Sequence, residues 1–125
     1  PSPIVPPMKP ETLQHLAEHL RQFAAERDWE QFHSPKNLAM ALSVEVAEIV
    51  EHFQWMTEQQ SRELDAAKRQ AVEHELADAL IYLVRLADQL GIDLLEAAER
   101  KLALNEVKYP AERVRGSSKK YSEYD

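Results

Sequence analysis

Four carboxylates stand out because they interrupt two stretches that otherwise have the pattern of buried helix. Glu45 and Glu48 lie within LAMALSVEVAEIV, and Glu75 and Asp78 lie within HELADALIYLVRLA. In an α-helix, residues three apart project from the same face, so each pair points in one direction. Charged side chains among apolar neighbours are costly to desolvate unless a cation or hydrogen-bond partners compensate. The pattern therefore predicts a bound divalent metal ion.

The residue types in this set indicate which metal ion would bind. Carboxylate oxygens are the ligands that Mg²⁺ and Mn²⁺ prefer, whereas zinc and copper sites usually include His or Cys. Because the set contains neither, we predict Mg²⁺, with Mn²⁺ as the alternative, and metal-assisted hydrolysis of a phosphate compound. A solvated helix face would also explain acids at these positions, and the spacing alone does not decide between the two interpretations.

Composition indicates the elements that must position these acids. The chain has 125 residues, 44% of them hydrophobic and 30% charged, with only two Gly beside abundant Ala, Leu and Glu. This balance is typical of one globular, all-α domain. We predict four helices, running from Pro10 to about Trp29, from Pro35 to Gln54 or Trp55, from about Lys68 to Leu90, and from about Leu94 to Val107.

Capping residues support these boundaries. Ser34 followed by Pro35 is typical of a helix start, and Asp93 is a candidate cap for helix four. Thr57 is a candidate cap in the polar segment 57–67, which we expect to be a loop with one or two helical turns. Gly91 is the residue type that most easily adopts the left-handed conformation that closes a helix.

The predicted helices form a four-helix bundle in residues 10–110, between an N-terminal arm at 1–9 and a polar, mobile tail at 111–125. Helices two and three, joined by a loop, are expected to pack antiparallel and bring the two carboxylate pairs face to face. A helical chain this short often completes its core by oligomerising.

Charge and residue usage exclude several classes of function. The formal net charge of −7 disfavours binding to a nucleic-acid backbone, although it permits nucleotides that bind with a metal. The absence of Cys excludes disulfides and thiol nucleophiles and fits a reducing compartment. The longest apolar stretches are interrupted by charges, so we expect no membrane partner and a cytoplasmic location.

The acidic motif also resembles a known family. EVAE followed by ELAD is similar to the ExxE...ExxD signature of the MazG-type all-α nucleoside triphosphate pyrophosphohydrolases. The segments RDWEQFHSPKNLAMAL, EHFQW, ALIYLVRLA and KLALNEVKYP resemble the dCTP pyrophosphatase branch, from Phe23 to Tyr121. The resemblance implies that Glu45, Glu48, Glu75 and Asp78 hold Mg²⁺. It further implies hydrolysis of dCTP or a modified dCTP to monophosphate and pyrophosphate in nucleotide-pool house-cleaning, by a homo-oligomer, with a tetramer favoured over a dimer.

The resemblance implies substrate-binding residues as well. Aromatic faces stack on nucleobases, and Trp29 and Trp55 match positions that hold the base. Tyr82 lies one turn after Asp78 and matches a position near the sugar or phosphate. The segment that matches the base and sugar pocket comprises Glu30, Gln31, Phe32 and His33. Packing at helix ends or in the core is the alternative for the aromatic residues.

Helix four has a polar face of its own. Lys101 and Asn105 lie four residues apart and Lys108 follows them, so this face could present cations and an amide to a triphosphate. A solvated helix face is the alternative. We rank Lys101 and Asn105 above Lys108.

One position departs from the family pattern. Relatives carry a histidine on helix one where this chain has Leu20, and the nearby His19 points about 100° away around the helix. If that histidine binds substrate in the family, the base preference of this chain would differ from that of the family.

Three other functions compete with this interpretation. A di-iron carboxylate bundle needs Glu-x-x-His on two helices, whereas this chain offers only Glu30 to His33 at a helix end. A non-catalytic helical dimerisation or regulatory module would leave the clustering of the acids unexplained. Another metal-dependent phosphohydrolase would use the same acids on a different phosphate compound.

Overall fold

The computed structural model describes residues 10–117, and the regular elements in that range are all helical, which confirms the all-α class. A 3-10 turn at Glu30–Phe32 precedes the second helix. The α-helices are α1 (Leu13–Glu26), α2 (Pro35–Phe53), α3 (Glu58–Arg62), α4 (Ala66–Gln89), α5 (Leu94–Lys108) and α6 (Ala111–Val114).

Side-chain caps begin the helices where the sequence predicts them. The Ser34 hydroxyl accepts a hydrogen bond from the Asn37 N–H, and Pro35 occupies the first turn of α2. Thr57 forms a capping box with Gln60 at the start of the short α3. The Asp93 carboxylate caps α5 by accepting from a backbone N–H in its first turn. Each cap satisfies a backbone donor that has no partner within its own helix.

Three boundaries differ from the prediction by two residues or more. Helix α1 begins at Leu13 rather than Pro10, because the Thr12 hydroxyl accepts the His15 N–H at 3.0 Å and caps the helix there. Helix α4 begins at Ala66 rather than Lys68, because the Asp65 carboxylate accepts the Lys68 N–H at 2.8 Å and so caps an earlier start. Helix α1 ends at Glu26 rather than Trp29, because Asp28 adopts the left-handed conformation with φ 55°.

Both α1 and α4 end with the same motif. The Trp29 N–H donates to the Ala24 carbonyl at 2.9 Å, and the Ile92 N–H donates to the Ala87 carbonyl at 2.9 Å. Each bond spans a left-handed residue, Asp28 in the first case and Gly91, with φ 67°, in the second. These are Schellman ends, and the predicted role of Gly91 is confirmed.

The predicted tail contains a helical turn. Residues 111–114 form α6, in which the N–H groups of Arg113 and Val114 bond to the Pro110 carbonyl. The fixed φ of Pro110, −57°, suits the start of a helix, which the polar composition of the segment does not reveal. The predicted arm at 1–9 and the end of the tail, 118–125, lie outside the described residues.

The chain divides into two compact units, residues 1–92 and residues 93–125, and each is described by itself. In the first unit, α2 and α1 both pack against α4. His33 contacts Arg85 near one end of the α2–α4 pair, and His52 contacts Lys68 near the other, so the two helices run antiparallel as predicted. The second unit contains α5 and α6.

The core of the first unit is small. Leu38 and Ala24 are each only 1% exposed, and Val84 is 3% exposed. Met40 and Val44 on α2 remain more than half exposed, at 59% and 55%. The predicted oligomer would cover such side chains and stays a prediction. Within residues 10–117, no helix combines the length and apolar character that crossing a membrane requires.

Candidate metal centre and substrate pocket

Helices α2 and α4 bring three of the four predicted metal ligands together. One carboxylate oxygen from each of Glu45, Glu48 and Glu75 lies within 4.8 Å of the others, and all three residues are half-buried. Glu45 and Glu48 are one turn apart on α2, and the antiparallel packing places Glu75 of α4 opposite them. We call this group the carboxylate cluster.

The electrostatics of the carboxylate cluster are unfavourable without a cation. Burial, followed by hydrogen bonding and repulsion from Glu48, raises the pKa of Glu45 to about 7. The contact with Glu48, followed by burial, raises the pKa of Glu75. Each raised pKa means that the cluster resists carrying its full negative charge.

Two oxygen atoms of the carboxylate cluster have no partner in the described part of the chain. The Oε2 atoms of Glu45 and Glu75 are buried and accept no hydrogen bond. Buried polar atoms in proteins nearly always have partners, so these two indicate a missing ligand. An all-oxygen donor set with excess negative charge fits a divalent cation such as Mg²⁺ or Mn²⁺.

Asp78, the fourth predicted ligand, lies outside this group of three. Its side chain is exposed, but its charge contributes to the raised pKa of both Glu45 and Glu75. Asp78 and Glu45 line the same cavity, so Asp78 adjoins the cavity that the carboxylate cluster also borders.

The cavity next to the cluster has a volume of about 440 Å³ and is formed by α1, α2, α4 and the connection between α1 and α2. We call it the aromatic pocket. Trp29 packs edge to face against Phe23, with ring centroids 5.7 Å apart. The walls comprise Leu20, Phe23, Ala24, Trp29, His33, Glu45, Asp78, Ile81, Tyr82 and Arg85. A mainly apolar cavity with a few polar groups beside a charged site is typical of a small-molecule site.

Several predicted substrate residues lie in this pocket and others do not. Trp29, His33 and Tyr82 line it, as does Leu20, the position that departs from the family pattern. Glu30, Gln31 and Phe32 are exposed on the 3-10 turn and are absent from its walls. Gln31 instead donates to the backbone carbonyl and the carboxylate of Asp28, which braces the turn.

The two tryptophans lie at opposite ends of α2. Trp29 precedes the helix, and Trp55 follows it and is 88% exposed. Helix α2 has 19 residues, and at 1.5 Å per residue it is about 28 Å long. Trp29 and Trp55 of one chain therefore cannot hold the same base.

Lys101 and Asn105 lie one turn apart on α5, in the second unit. Lys101 is exposed and Asn105 is half-buried. Their predicted contact with the triphosphate, and that of the lower-ranked Lys108, stays a prediction.

Sequence reasoning missed three residues around the site. Arg85 lines the aromatic pocket and is only 4% exposed. Its signal was a charge inside the apolar stretch ALIYLVRLA, the same anomaly that identified the acids. Lys68 donates to Nδ1 of His52 at 3.3 Å, and His52 Nε2 lies 4.0 Å from Glu75 Oε1. Neither His52 nor Lys68 carries a comparable sequence signal.

Comparison with known proteins shows which family and which proteins this chain is similar to. The model of the MazG-like family matches residues 40–124, which include all four predicted metal ligands. dCTP pyrophosphatase 1 of Homo sapiens is 46% identical over 114 residues, covering 90% of this chain and 67% of that protein. The Mus musculus protein of the same name is 45% identical with the same coverage. A solved pyrophosphatase from Archaeoglobus fulgidus DSM 4304 is 41% identical, with a TM-score of 0.75, over 82% of this chain and 96% of that chain.

Proposed function

The chain belongs to the MazG-like family, and from this premise we propose that it hydrolyses dCTP or a modified dCTP with Mg²⁺ as cofactor. The enzyme class is that of its relatives: it is a nucleoside triphosphate pyrophosphatase. The proposed products are a nucleoside monophosphate and pyrophosphate, and the proposed role is house-cleaning of the nucleotide pool. A cytoplasmic location accords with that role and stays a prediction.

The observation that supports this proposal is the carboxylate cluster with its two unpartnered oxygens, next to the aromatic pocket. A nucleoside triphosphate has the complementary parts, a polyphosphate that binds through divalent cations and a base that stacks on aromatic rings. Glu45 and Asp78 line the aromatic pocket together with Trp29, so one ligand can reach both regions.

The side chains have distinct roles in the proposed reaction. Glu45, Glu48, Glu75 and Asp78 would hold the metal, which when bound neutralises phosphate charge and lowers the pKa of a nearby water. Water attacks the α-phosphorus. The bond between that phosphorus and the oxygen bridging the α- and β-phosphates breaks, and pyrophosphate leaves with this oxygen. A carboxylate accepts the proton from the water through an oxygen that does not bind the metal, and Glu45 and Glu75 are the candidates.

A panel of triphosphates tests the proposal. Purified protein with Mg²⁺ is incubated with dCTP, modified cytosine nucleotides, dUTP and other nucleoside triphosphates, and both pyrophosphate and orthophosphate are measured. We expect pyrophosphate with dCTP or a modified dCTP as the best substrate. Orthophosphate release would indicate another phosphohydrolase, and inactivity across the panel would favour the non-catalytic helical module.

We also propose that Trp55 serves the pocket of a second copy in a homo-oligomer. This accounts for its 88% exposure and for its separation from Trp29 along α2. A complementation experiment tests it with Glu48→Gln and Trp55→Ala, each inactive or impaired alone. Mixed oligomers should recover activity, because one shared site would have an intact cluster and an intact Trp55. Elution as a monomer, or mixtures no more active than the sum of their parts, would contradict the shared pocket.

A further inference from the structure

Arg85 is the one buried charged side chain among residues 10–117. Its Nε–H donates to Nδ1 of His33 at 3.2 Å, and its Nη1 lies 3.6 Å from Asp88 Oδ2. Arg21 of α1 holds the same Asp88 through two hydrogen bonds of 2.7 and 2.9 Å. The chain of contacts therefore runs from Arg21 through Asp88 and Arg85 to His33, and it ends at the wall of the aromatic pocket.

The contact with Arg85 determines where His33 carries its proton. A guanidinium remains charged in proteins and can only donate hydrogen bonds. The Nδ1 atom of His33 must therefore accept, which leaves the ring neutral with its proton on Nε2. Burial, and then the positive charge of Arg85, lower the pKa of His33 against a smaller opposing effect of Glu30.

The cost of burying Arg85 suggests a role beyond stability. A buried guanidinium is expensive to desolvate, and an apolar residue of similar volume is often as stable or more so. Asp88 compensates part of the charge, but it makes its shorter contacts with Arg21. The partner that Arg85 directly hydrogen-bonds is His33.

We infer that Arg85 is a positioning residue that fixes the Nε2–H tautomer and orientation of His33, so that the aromatic pocket offers a defined hydrogen-bond donor to the substrate. The His33 ring lies 6.4 Å from the Trp29 ring, centroid to centroid, and both line the pocket. A base stacked on Trp29 brings its edge or its sugar towards His33, and the ligand group must be an acceptor, a carbonyl, ring nitrogen or hydroxyl oxygen. The nature of this ligand rests on the proposed function, whereas the tautomer does not.

Nitrogen-15 NMR of the full chain tests the tautomer without any substrate. The imidazole signals of His33, assigned by their loss in His33→Gln, should show a protonated Nε2 and an unprotonated, hydrogen-bonded Nδ1 near neutral pH. Arg85→Met should give a mixture of tautomers, and Arg85→Lys should partly restore the wild-type pattern because an ammonium can also donate. A wild-type ring with its proton on Nδ1, or doubly protonated, would overturn the assignment even if the variants fail to fold.

Kinetics test whether the tautomer matters. Arg85→Met should raise KM about tenfold, the size expected when one well-placed hydrogen bond is lost, and leave kcat and the Mg²⁺ dependence nearly unchanged. Because Arg85 acts through His33, adding Arg85→Met to His33→Gln should raise KM little beyond the value of His33→Gln alone. Equal tenfold effects in both backgrounds would contradict the positioning role.

The two experiments separate this inference from the proposed function. If no triphosphate is hydrolysed but the NMR pattern holds, the proposed substrate is wrong and Arg85 still positions His33. If pyrophosphate is released while His33 has the other tautomer, the reaction stands and the role of Arg85 is wrong.

Discussion

The carboxylate cluster and the aromatic pocket adjoin each other but are built differently. Glu45, Glu48 and Glu75 project from α2 and α4, which are 19 and 24 residues long and begin with side-chain caps. The pocket depends instead on the end of α1, a 3-10 turn and the second half of α4. Regular helices thus place the charged groups, while the positions of Trp29 and His33 in the pocket depend on how the chain turns between helices.

The two regions also differ in how their charges are satisfied. The cluster contains like charges, two unpartnered oxygens and raised pKa values. The charged groups at the pocket are paired instead. Arg85 and His33 of the pocket wall contact each other, and Asp88, behind them, contacts both Arg85 and Arg21. The cluster therefore needs a cation to balance its charge, whereas the charged groups at the pocket are balanced within the chain.

The largest effect is expected from Glu48→Gln, because Glu48 contacts both Glu45 and Glu75. Removing one charge weakens the metal site, and we expect kcat/KM to fall by at least about 100-fold. The metal-free protein should melt at a higher temperature, since repulsion between the acids is relieved. Activity assays and thermal unfolding measure the two effects.

Glu51→Gln is the matched control for this variant. Glu51 lies one turn further along α2, is exposed and is not in the cluster. The Glu51→Gln variant should keep its activity within about twofold of wild type, as expected for a surface substitution. Equal losses in both variants would show that net charge, rather than the cluster, determines activity.

The second effect is a pH dependence of stabilisation by Mg²⁺. The pKa of Glu45 is raised to about 7 in the folded chain, against roughly 4.3 in an unfolded one. Its favourable contribution to metal-free stability is therefore present at low pH and is lost as pH rises through about 7. Mg²⁺ binds the ionised form, so it should raise the melting temperature more at pH 8 than at pH 6.

The size of this effect follows from ligand linkage. At pH 8 and a Mg²⁺ concentration 100 times Kd, stabilisation should reach about 2.7 kcal/mol. Glu45→Gln, compared at the same multiple of its own Kd for Mg²⁺, is the control, because an amide does not titrate and the difference between the two pH values should shrink. The same melting shift at both pH values in wild type would argue against proton–metal competition at Glu45.

The third effect separates the pocket from the cluster. Trp29→Ala removes the aromatic face next to His33 and should raise KM by about 5- to 150-fold, from about 1 to 3 kcal/mol of lost stacking. The concentration of Mg²⁺ needed for half-maximal activity should stay the same. Phe32→Ala, three residues later, exposed and outside the pocket, is the control. A shifted Mg²⁺ requirement in Trp29→Ala would show that the two regions are not separable.

Sequence reasoning succeeded where the determining interactions are local. The carboxylate pairs follow from the three-residue spacing on a helix, and Ser34, Thr57 and Asp93 cap helices through N–H groups three residues later. These features depend on near neighbours in the chain. The antiparallel packing of α2 and α4 could be predicted because a loop joins the two helices.

Non-local contacts account for what the sequence did not reveal. Arg85 meets His33 across 52 residues, and Arg21 meets Asp88 across 67. No local pattern encodes these pairings, since each residue alone has the appearance of a surface charge or an anomaly. The resemblance grouped Trp29 with Trp55, although the predicted bounds of helix two already separate them, and the structure places them at opposite ends of α2.

The smallest effects are expected from substitutions in the two Schellman ends. The end of α1 supports the pocket, whereas the same backbone motif at the end of α4 does not. Gly91→Ala adds a Cβ that meets no atom within 4 Å, so its cost is the left-handed backbone alone, about 1 to 2 kcal/mol. Asp28→Gly relieves the corresponding strain but removes the carboxylate that accepts from Gln31 at 3.1 Å. Its net effect on stability should stay within about 1 kcal/mol.

The order should reverse for activity: Asp28→Gly should impair substrate binding more than Gly91→Ala, although Gly91→Ala is the less stable variant. Asp28 immediately precedes Trp29, so a freer backbone there should raise the KM of Asp28→Gly about two- to threefold, roughly the cost of mild disorder at one aromatic contact. Gly91→Ala should unfold at lower denaturant while its KM stays unchanged. If Gly91→Ala raised KM as much as Asp28→Gly does, the end of α4 would have to support the pocket too, because the stability cost alone would not change substrate affinity in the folded protein.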